Sequence, residues 1–174
     1  MEYVFTLKFQ LGDAEDSVDV LVERLAEAGC DDALIGSGIK GRLALEFQRE
    51  GRSAEEAVRS ALRDVRRALP GATLIEAAPD LVGLAEVAEL IGVSRQNMRK
   101  LMLAYPESFP APLHEGSSSL WHLADVLAWL APRGSYAVPE AALELATATM
   151  RVNLAREAVR LPASSFKRFS ALVS

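Results

Sequence analysis

The chain has 174 residues, 50% of them hydrophobic and 25% charged, with a formal net charge of −5 at pH 7 and one cysteine. This is the composition of an ordinary globular protein, and no segment approaches the roughly 20 consecutive apolar residues of a membrane-spanning helix. A single cysteine excludes an internal disulfide and a cysteine zinc site, so we expect Cys30 to be a buried structural thiol in a cytoplasmic protein.

The first 79 residues alternate between strand and helix patterns. Strict alternation of apolar and polar residues from Tyr3 to Leu11 predicts a half-buried strand, not a signal peptide. The further predicted elements are a helix at 16–28 with Val18, Leu21, Val22, Leu25 and Ala28 apolar, strands at 32–37 and 42–48, a helix from the capping box Ser53–Glu56 to about Leu69, and a strand at 72–77. The order βαββαβ is that of a ferredoxin-like domain, with an antiparallel sheet and both helices on one face.

One face of this predicted sheet carries no helix. It offers a polar set of side chains, namely Thr6, Lys8, Gln10, Arg42, Ala44, Glu46 and Gln48. RNA binding by base stacking needs aromatic rings on such a face, but Phe5, Phe9 and Phe47 fall on the covered side. We therefore expect residues 1–79 to serve in dimerisation or in sensing.

Residues 84–104, LAEVAELIGVSRQNMRKLMLA, are the most informative part of the chain. They read as a short helix with an apolar side, a stop at Gly92, and a second helix capped by Ser94. The apolar residues are Leu84, Val87, Ala88, Leu90 and Ile91 in the first helix and Met98, Leu101 and Met102 in the second. This pattern is typical of a helix-turn-helix, whose second helix enters the major groove of DNA.

The outward face of the second helix supplies the candidate base contacts. It carries Arg95, Gln96, Arg99 and Lys100, and Ser94 at the start of the helix is a further candidate DNA contact. Arginine can pair with guanine through two hydrogen bonds, and glutamine with adenine. Downstream, apolar residues flank the polar turn 116–119 and predict a short hairpin, or wing, in which His114, Ser117 and Ser118 are candidate phosphate contacts. A helix from about Leu123 to Leu130, ended by Pro132, completes a winged helix-turn-helix over 80–132.

Several motifs of this segment together resemble a known group. They are the turn Gly92-Val93-Ser94-Arg95, the pair Phe109-Pro110, and Trp121, Asp125, Val126 and Trp129 at the end of the module. Residues 81–131 in this respect resemble AlpA-like and excisionase-like winged-helix DNA-binding proteins, relatives of the MerR-type domain. The resemblance implies that Arg95, Gln96, Arg99 and Lys100 face the groove and that Trp121 and Trp129 are core. The wing departs from the group because it carries no lysine or arginine.

Residues 133–174 are predicted to form a C-terminal helix at 139–161 and a loosely held tail. The helix has two apolar stripes: Val138, Ala142, Leu145, Thr149 and Val152 on one side, and Leu143, Met150, Leu154, Ala158 and Leu161 on the other. Such a helix must be covered twice. A second copy of the chain is the expected second cover, and the amino-terminal domain of the same chain is the alternative.

The sequence as a whole favours a bacterial or phage transcriptional regulator that binds double-stranded DNA as a homodimer. An antitoxin or adaptor whose winged helix binds a protein is the alternative, because residues 80–132 hold 3 Lys/Arg against 6 Asp/Glu. We expect no enzyme activity, cofactor or metal: there is no acid–base or nucleophile constellation, and two histidines without partners make a poor metal site.

Overall fold

The computed structural model describes residues 1–12, 17–170 and 172–173. Within these ranges the fold is mixed α+β, with a four-stranded antiparallel sheet, a two-stranded sheet and seven α-helices. The elements are β1 (Glu2–Gln10), α1 (Val18–Glu27), β2 (Ala33–Gly36), β3 (Arg42–Glu50), α2 (Ala54–Ala68), β4 (Thr73–Ala78), β5 (Leu81–Val82), α3 (Leu84–Leu90), α4 (Arg95–Ala104), β6 (Trp121–His122), α5 (Leu123–Leu130), a 3-10 turn (Ala131–Arg133), α6 (Glu140–Ala158) and α7 (Ala163–Ser170). The predicted α+β class and antiparallel sheet are confirmed.

The larger sheet has the strand order β2-β3-β1-β4. Phe5 of β1 lies opposite Phe47 of β3, and their rings stack with centroids 5.4 Å apart. These rings, with Leu7 and Leu45 in the next register pair, are buried in a core shared with α1, α2 and α6. The alternation read from the sequence therefore assigns the correct face of both central strands. Cys30 belongs to the same core, and burial raises the pKa of its thiol to about 11.

A buried arginine closes one end of this core. Arg49 follows Phe47 in the inward phase of β3 and is only 8% exposed. Its guanidinium donates to both carboxylate oxygens of Asp32, to Asp64, to Ser60 and to the carbonyl of Gly29. These bonds use the full donor set of the side chain, and the two carboxylates raise the pKa of Arg49. A buried charge satisfied in this way ties β3 to α2 and to the β2 side of the sheet.

Helix α1 buries only Leu21 and Leu25 among its own residues, and Val18 and Val22 of its predicted apolar side are exposed. Helix α5 has the bounds predicted from the sequence, and Pro132 lies in the first turn of the 3-10 segment that follows it. The predicted tail contains one further helix, α7, which begins directly after Pro162 and buries none of its side chains. Residues 171 and 174 of the predicted tail and residue 16 of the first predicted helix lie outside the described residues.

Helix α6 is covered on two sides by its own chain. Leu145 and Ala148 belong to the core beneath the large sheet, whereas Ala146 belongs to the core of residues 82–130. Glu144 adds polar contacts, accepting hydrogen bonds from the Tyr3 hydroxyl (2.7 Å) and from the Ala54 N–H (3.0 Å) at the start of α2. The amino-terminal part of the same chain therefore covers the stripe that includes Leu145, as the alternative predicts, whereas Leu154 and Leu161 of the other stripe are 51% and 57% exposed. Cover of that stripe by a second copy stays a prediction.

Polar side chains of α6 also hold the segment that joins the two parts of the chain. The Asn153 amide exchanges two hydrogen bonds of 2.8 Å with the backbone of Ala77 and donates to Asp80 (2.7 Å). Thr149 donates to the carbonyl of Pro79. Asp80, 1% exposed, completes this junction by contacting Nδ1 of His122 at 2.6 Å. The segment from Ala77 to Asp80 is thus held by hydrogen bonds to α6 and to the strand that carries His122.

We expect Asp80→Ala to lower the free energy of unfolding by about 2–4 kcal/mol, because it leaves the buried polar groups of His122 and Asn153 without their partner. Urea unfolding followed by circular dichroism measures the change. Asp31→Ala removes an exposed carboxylate and is the control, expected to stay within about 0.5 kcal/mol of the native protein. An Asp80→Ala variant as stable as the control would contradict the role assigned to the junction.

Candidate nucleic-acid interface

Helices α3 and α4 and the turn between them form from local signals that the sequence displays. Helix α3 ends in a turn where Gly92 adopts a φ of +71°, a left-handed conformation that favours glycine. Ser94 then caps α4, its hydroxyl accepting a hydrogen bond from the Asn97 N–H at 3.1 Å. Met98 is completely buried against α3 and α5, and this contact fixes which face of α4 points outward. The predicted stop, cap and inward residue are all confirmed.

The wing is a small antiparallel arrangement. Strand β5 (Leu81–Val82) pairs with β6 (Trp121–His122). His114 forms a single bridge with Leu120, the residue directly before β6. The turn between them packs the imidazole of His114 over Gly116, where an added Cβ would lie 2.6 Å from the ring nitrogen Nε2. A side chain at this position would displace the exposed His114 ring from its place over the turn.

Three aromatic residues hold the wing against the helices. Phe109 packs edge-on against both Trp121 and Trp129, with centroid distances of 6.3 and 5.0 Å. The Trp121 indole N–H donates to the carbonyl of Pro110 at 2.9 Å. Trp121 is buried, whereas Trp129 lies at the edge of the core with the Arg133 guanidinium 3.3 Å from its ring centroid. The Phe109-Pro110 pair thus positions the start of the wing.

Between α4 and the wing lies an open groove of about 860 Å³. Its walls come from the start of α3, the outward face of α4, and the wing turn. The polar side chains lining it are those of Glu86, Arg95, Gln96, Arg99, Ser117, Ser118 and Ser119. Met102, Leu120 and Trp121 supply apolar surface at its floor. Segments far apart in sequence are therefore brought to one concave surface.

The structure places the predicted contact residues in three groups. Five of them line the groove together: Arg95, Gln96, Arg99, Ser117 and Ser118. Ser94 sits at the end of α4 with its hydroxyl engaged in the cap. Lys100 and His114 are exposed but lie outside the groove lining, Lys100 on the side of α4 and His114 at the base of the wing.

The basic side chains of α4 are available to a ligand. Arg95, Arg99 and Lys100 are exposed, and none of them forms an ion pair within the described part of the chain. Several surface arginines elsewhere in the protein, such as Arg52 beside Glu56, do form ion pairs. A cluster of unpaired positive charge on one helix attracts anions such as phosphate.

One groove residue escapes the sequence reasoning. Glu86 is the sole acidic side chain of the groove lining, and its Oε2 accepts a hydrogen bond of 2.6 Å from the Gly83 N–H. The spacing of Gly83 and Glu86 is that of a capping box, and this signal could have located the carboxylate at the start of α3. Its negative charge partly cancels the positive potential of Arg95 and Arg99 in the same lining and so lowers the attraction for phosphate.

Other kinds of site find little support in the described ranges. No group of three or more histidine, cysteine or acidic side chains there is arranged to hold a metal ion. None of the helices formed by those residues is long and apolar enough to cross a membrane. Comparison of the chain with family models, with curated proteins and with solved structures found no match.

We expect Ser94→Ala to lower the free energy of unfolding by about 1 kcal/mol, because the Asn97 N–H loses its acceptor at the end of α4. Thermal and urea unfolding measure the loss. Ser94→Asn keeps a capping oxygen and is expected to retain most of the stability. Equal losses in the two variants would mean that the hydroxyl acts through something other than the cap.

Proposed function

We propose that the protein is a sequence-specific DNA-binding regulator that inserts α4 into the major groove of double-stranded DNA. In this proposal residues 80–132 form a winged helix-turn-helix of the AlpA-like and excisionase-like kind. The observation that carries the proposal is the groove itself, where unpaired Arg95 and Arg99 flank Gln96 on the exposed face of α4. An α-helix of this exposure fits the major groove, whose base edges match arginine and glutamine donors and acceptors.

The wing supports the same placement of a duplex. Ser117 and Ser118 line the same groove as the outward face of α4. Their hydroxyls and backbone N–H groups can donate hydrogen bonds to phosphates. They add no fixed positive charge, so the phosphate attraction of one module is modest.

The amino-terminal part is proposed to be a ferredoxin-like domain. Its support is the element order βαββαβ with the antiparallel strand order β2-β3-β1-β4. The open face of this sheet, which displays Val4 (54% exposed) and Leu34 (72% exposed) among charged residues, is the surface left for a homodimer. A dimer would present two α4 helices to neighbouring half-sites and so offset the weak binding of each.

A protein partner is the second candidate for the same groove. Glu86 in the lining and the absence of lysine and arginine from the wing favour it, because both reduce the attraction for phosphate. Copurification of one stoichiometric protein that survives nuclease treatment, together with no enriched sequence in an oligonucleotide selection, would favour this candidate over DNA.

We expect selection from a random oligonucleotide pool to enrich one sequence, and Arg99→Ala to weaken binding to it by at least about 1 kcal/mol, or roughly fivefold in Kd. Fluorescence anisotropy at fixed salt measures the loss. Arg66→Ala removes the same charge from an exposed position on α2, far along the chain from the groove, and is the matched control. Equal losses in the two variants would show that only net charge matters.

We expect Ser118→Lys to tighten binding and to steepen the dependence of log Kd on log salt by about 0.9, since it adds one phosphate contact from the wing. Titrations at several salt concentrations measure the slope. Ser135→Lys places the same charge at an exposed site outside the groove and should leave the slope unchanged. An unchanged slope in Ser118→Lys would place the wing away from the duplex.

A further inference from the structure

A second cavity, of about 520 Å³, lies at the seam between the large sheet and the helix-turn-helix. Its walls come from β1, the β4–β5 segment, α3 and α6. Leu90, on the predicted apolar side of α3, is 41% exposed and lines this cavity together with Leu145 and Pro79. A cavity of this size and mostly apolar lining suits a small molecule, and such sites are common where two structural units meet.

The charged groups of this cavity are mostly acidic. One lysine, Lys8, faces three carboxylates: Glu76, Asp80 and Glu86. Lys8 already pairs with Glu76 at 2.9 Å, and Asp80 is buried in its contacts with His122 and Asn153. Glu86 differs from both, since only Oε2 is hydrogen-bonded and Oε1 has no partner within the described part of the chain. One carboxylate oxygen is therefore free at the rim of an apolar cavity.

We propose that this seam cavity binds a small hydrophobic amine, with the apolar body against Leu90 and Leu145 and the ammonium group on Glu86. The excess of carboxylates over lysine in the lining opposes an anionic ligand and favours a cation. The capping bond from Gly83 holds the Glu86 side chain in place, so little side-chain entropy is lost when the amine binds.

Glu86 lines both the seam cavity and the groove beside α4. An ammonium bound to it would neutralise the acidic group opposite Arg95 and Arg99 and remove its repulsion of phosphate. The amine would then act as an effector that strengthens DNA binding, a step that rests on the proposed function. By linkage, DNA would strengthen amine binding by the same factor.

Calorimetric titration with 1-naphthylmethylamine tests the site on the full-length protein without DNA. We expect this amine to bind about tenfold more tightly than 1-naphthalenemethanol, which has the same apolar body and no charge. In Glu86→Gln, whose amide oxygen can still cap α3, the two compounds should bind equally. Glu89→Gln removes the same charge from an exposed position on α3 outside the cavity and should keep the preference for the amine.

Equal binding of amine and alcohol to the native protein, or a preference retained in Glu86→Gln, would overturn the proposal. Absence of binding by both compounds would overturn it as well. The effector step has its own measurement: the selected DNA sequence should bind about five- to tenfold more tightly in the presence of saturating amine, and Glu86→Gln should show this gain without the amine. If no DNA sequence is selected but the Glu86-dependent amine preference is found, the regulator proposal fails and the cavity assignment stands.

Discussion

A buried cluster of hydrogen bonds decides how the two halves of this protein sit together. Asp80 follows the last strand of the large sheet. Its carboxylate contacts His122 of β6 and accepts a hydrogen bond from the Asn153 amide of α6. A carboxylate buried to this degree is tolerated only when its oxygens are satisfied, so the three elements must meet in one arrangement. Apolar residues of α6 pack into a core on each side of this cluster. Apolar contacts are not directional, so by themselves they would let the packed elements slide past one another.

This fixed arrangement determines the shape of the groove between α4 and the wing. His122 and Trp121 are neighbours in β6, and the Trp121 ring packs against Phe109 in the segment that follows α4. Met98 holds α4 from beneath, so the orientation of the outward arginines is set by the core rather than by contacts within the groove. A binding surface positioned by buried residues loses little entropy when it meets a rigid ligand.

Much of this fold follows from sequence periodicity. The alternation in β1 and β3 identifies the buried face of the sheet, and Gly92 with Ser94 marks the turn between α3 and α4 and the cap of α4. Periodicity reports which residues are apolar, but it does not report what covers them. The sequence therefore cannot tell that the amino-terminal core covers one side of α6, or that Leu90 on the apolar side of α3 lines a cavity.

The polar residues were harder to anticipate than the apolar ones. Arg49 sits in the inward phase of β3, where a charge contradicts the pattern, and its partners Asp32 and Asp64 come from other elements. Asp80 matters through contacts with residues far away in the sequence, and Glu86 because it lines both cavities. Local spacing cannot report such long-range pairings, although the Gly83–Glu86 capping pair does carry a readable signal.

The double role of α6 restricts how this chain can be recombined during evolution. The core built by residues 81–131 also includes Ala146, which lies further along the chain in α6. A breakpoint between 134 and 139 would separate this module from α6 and leave apolar core surface uncovered on the recipient. The surface of α4 is therefore more easily changed by point substitutions on its outward face than by exchange of whole segments.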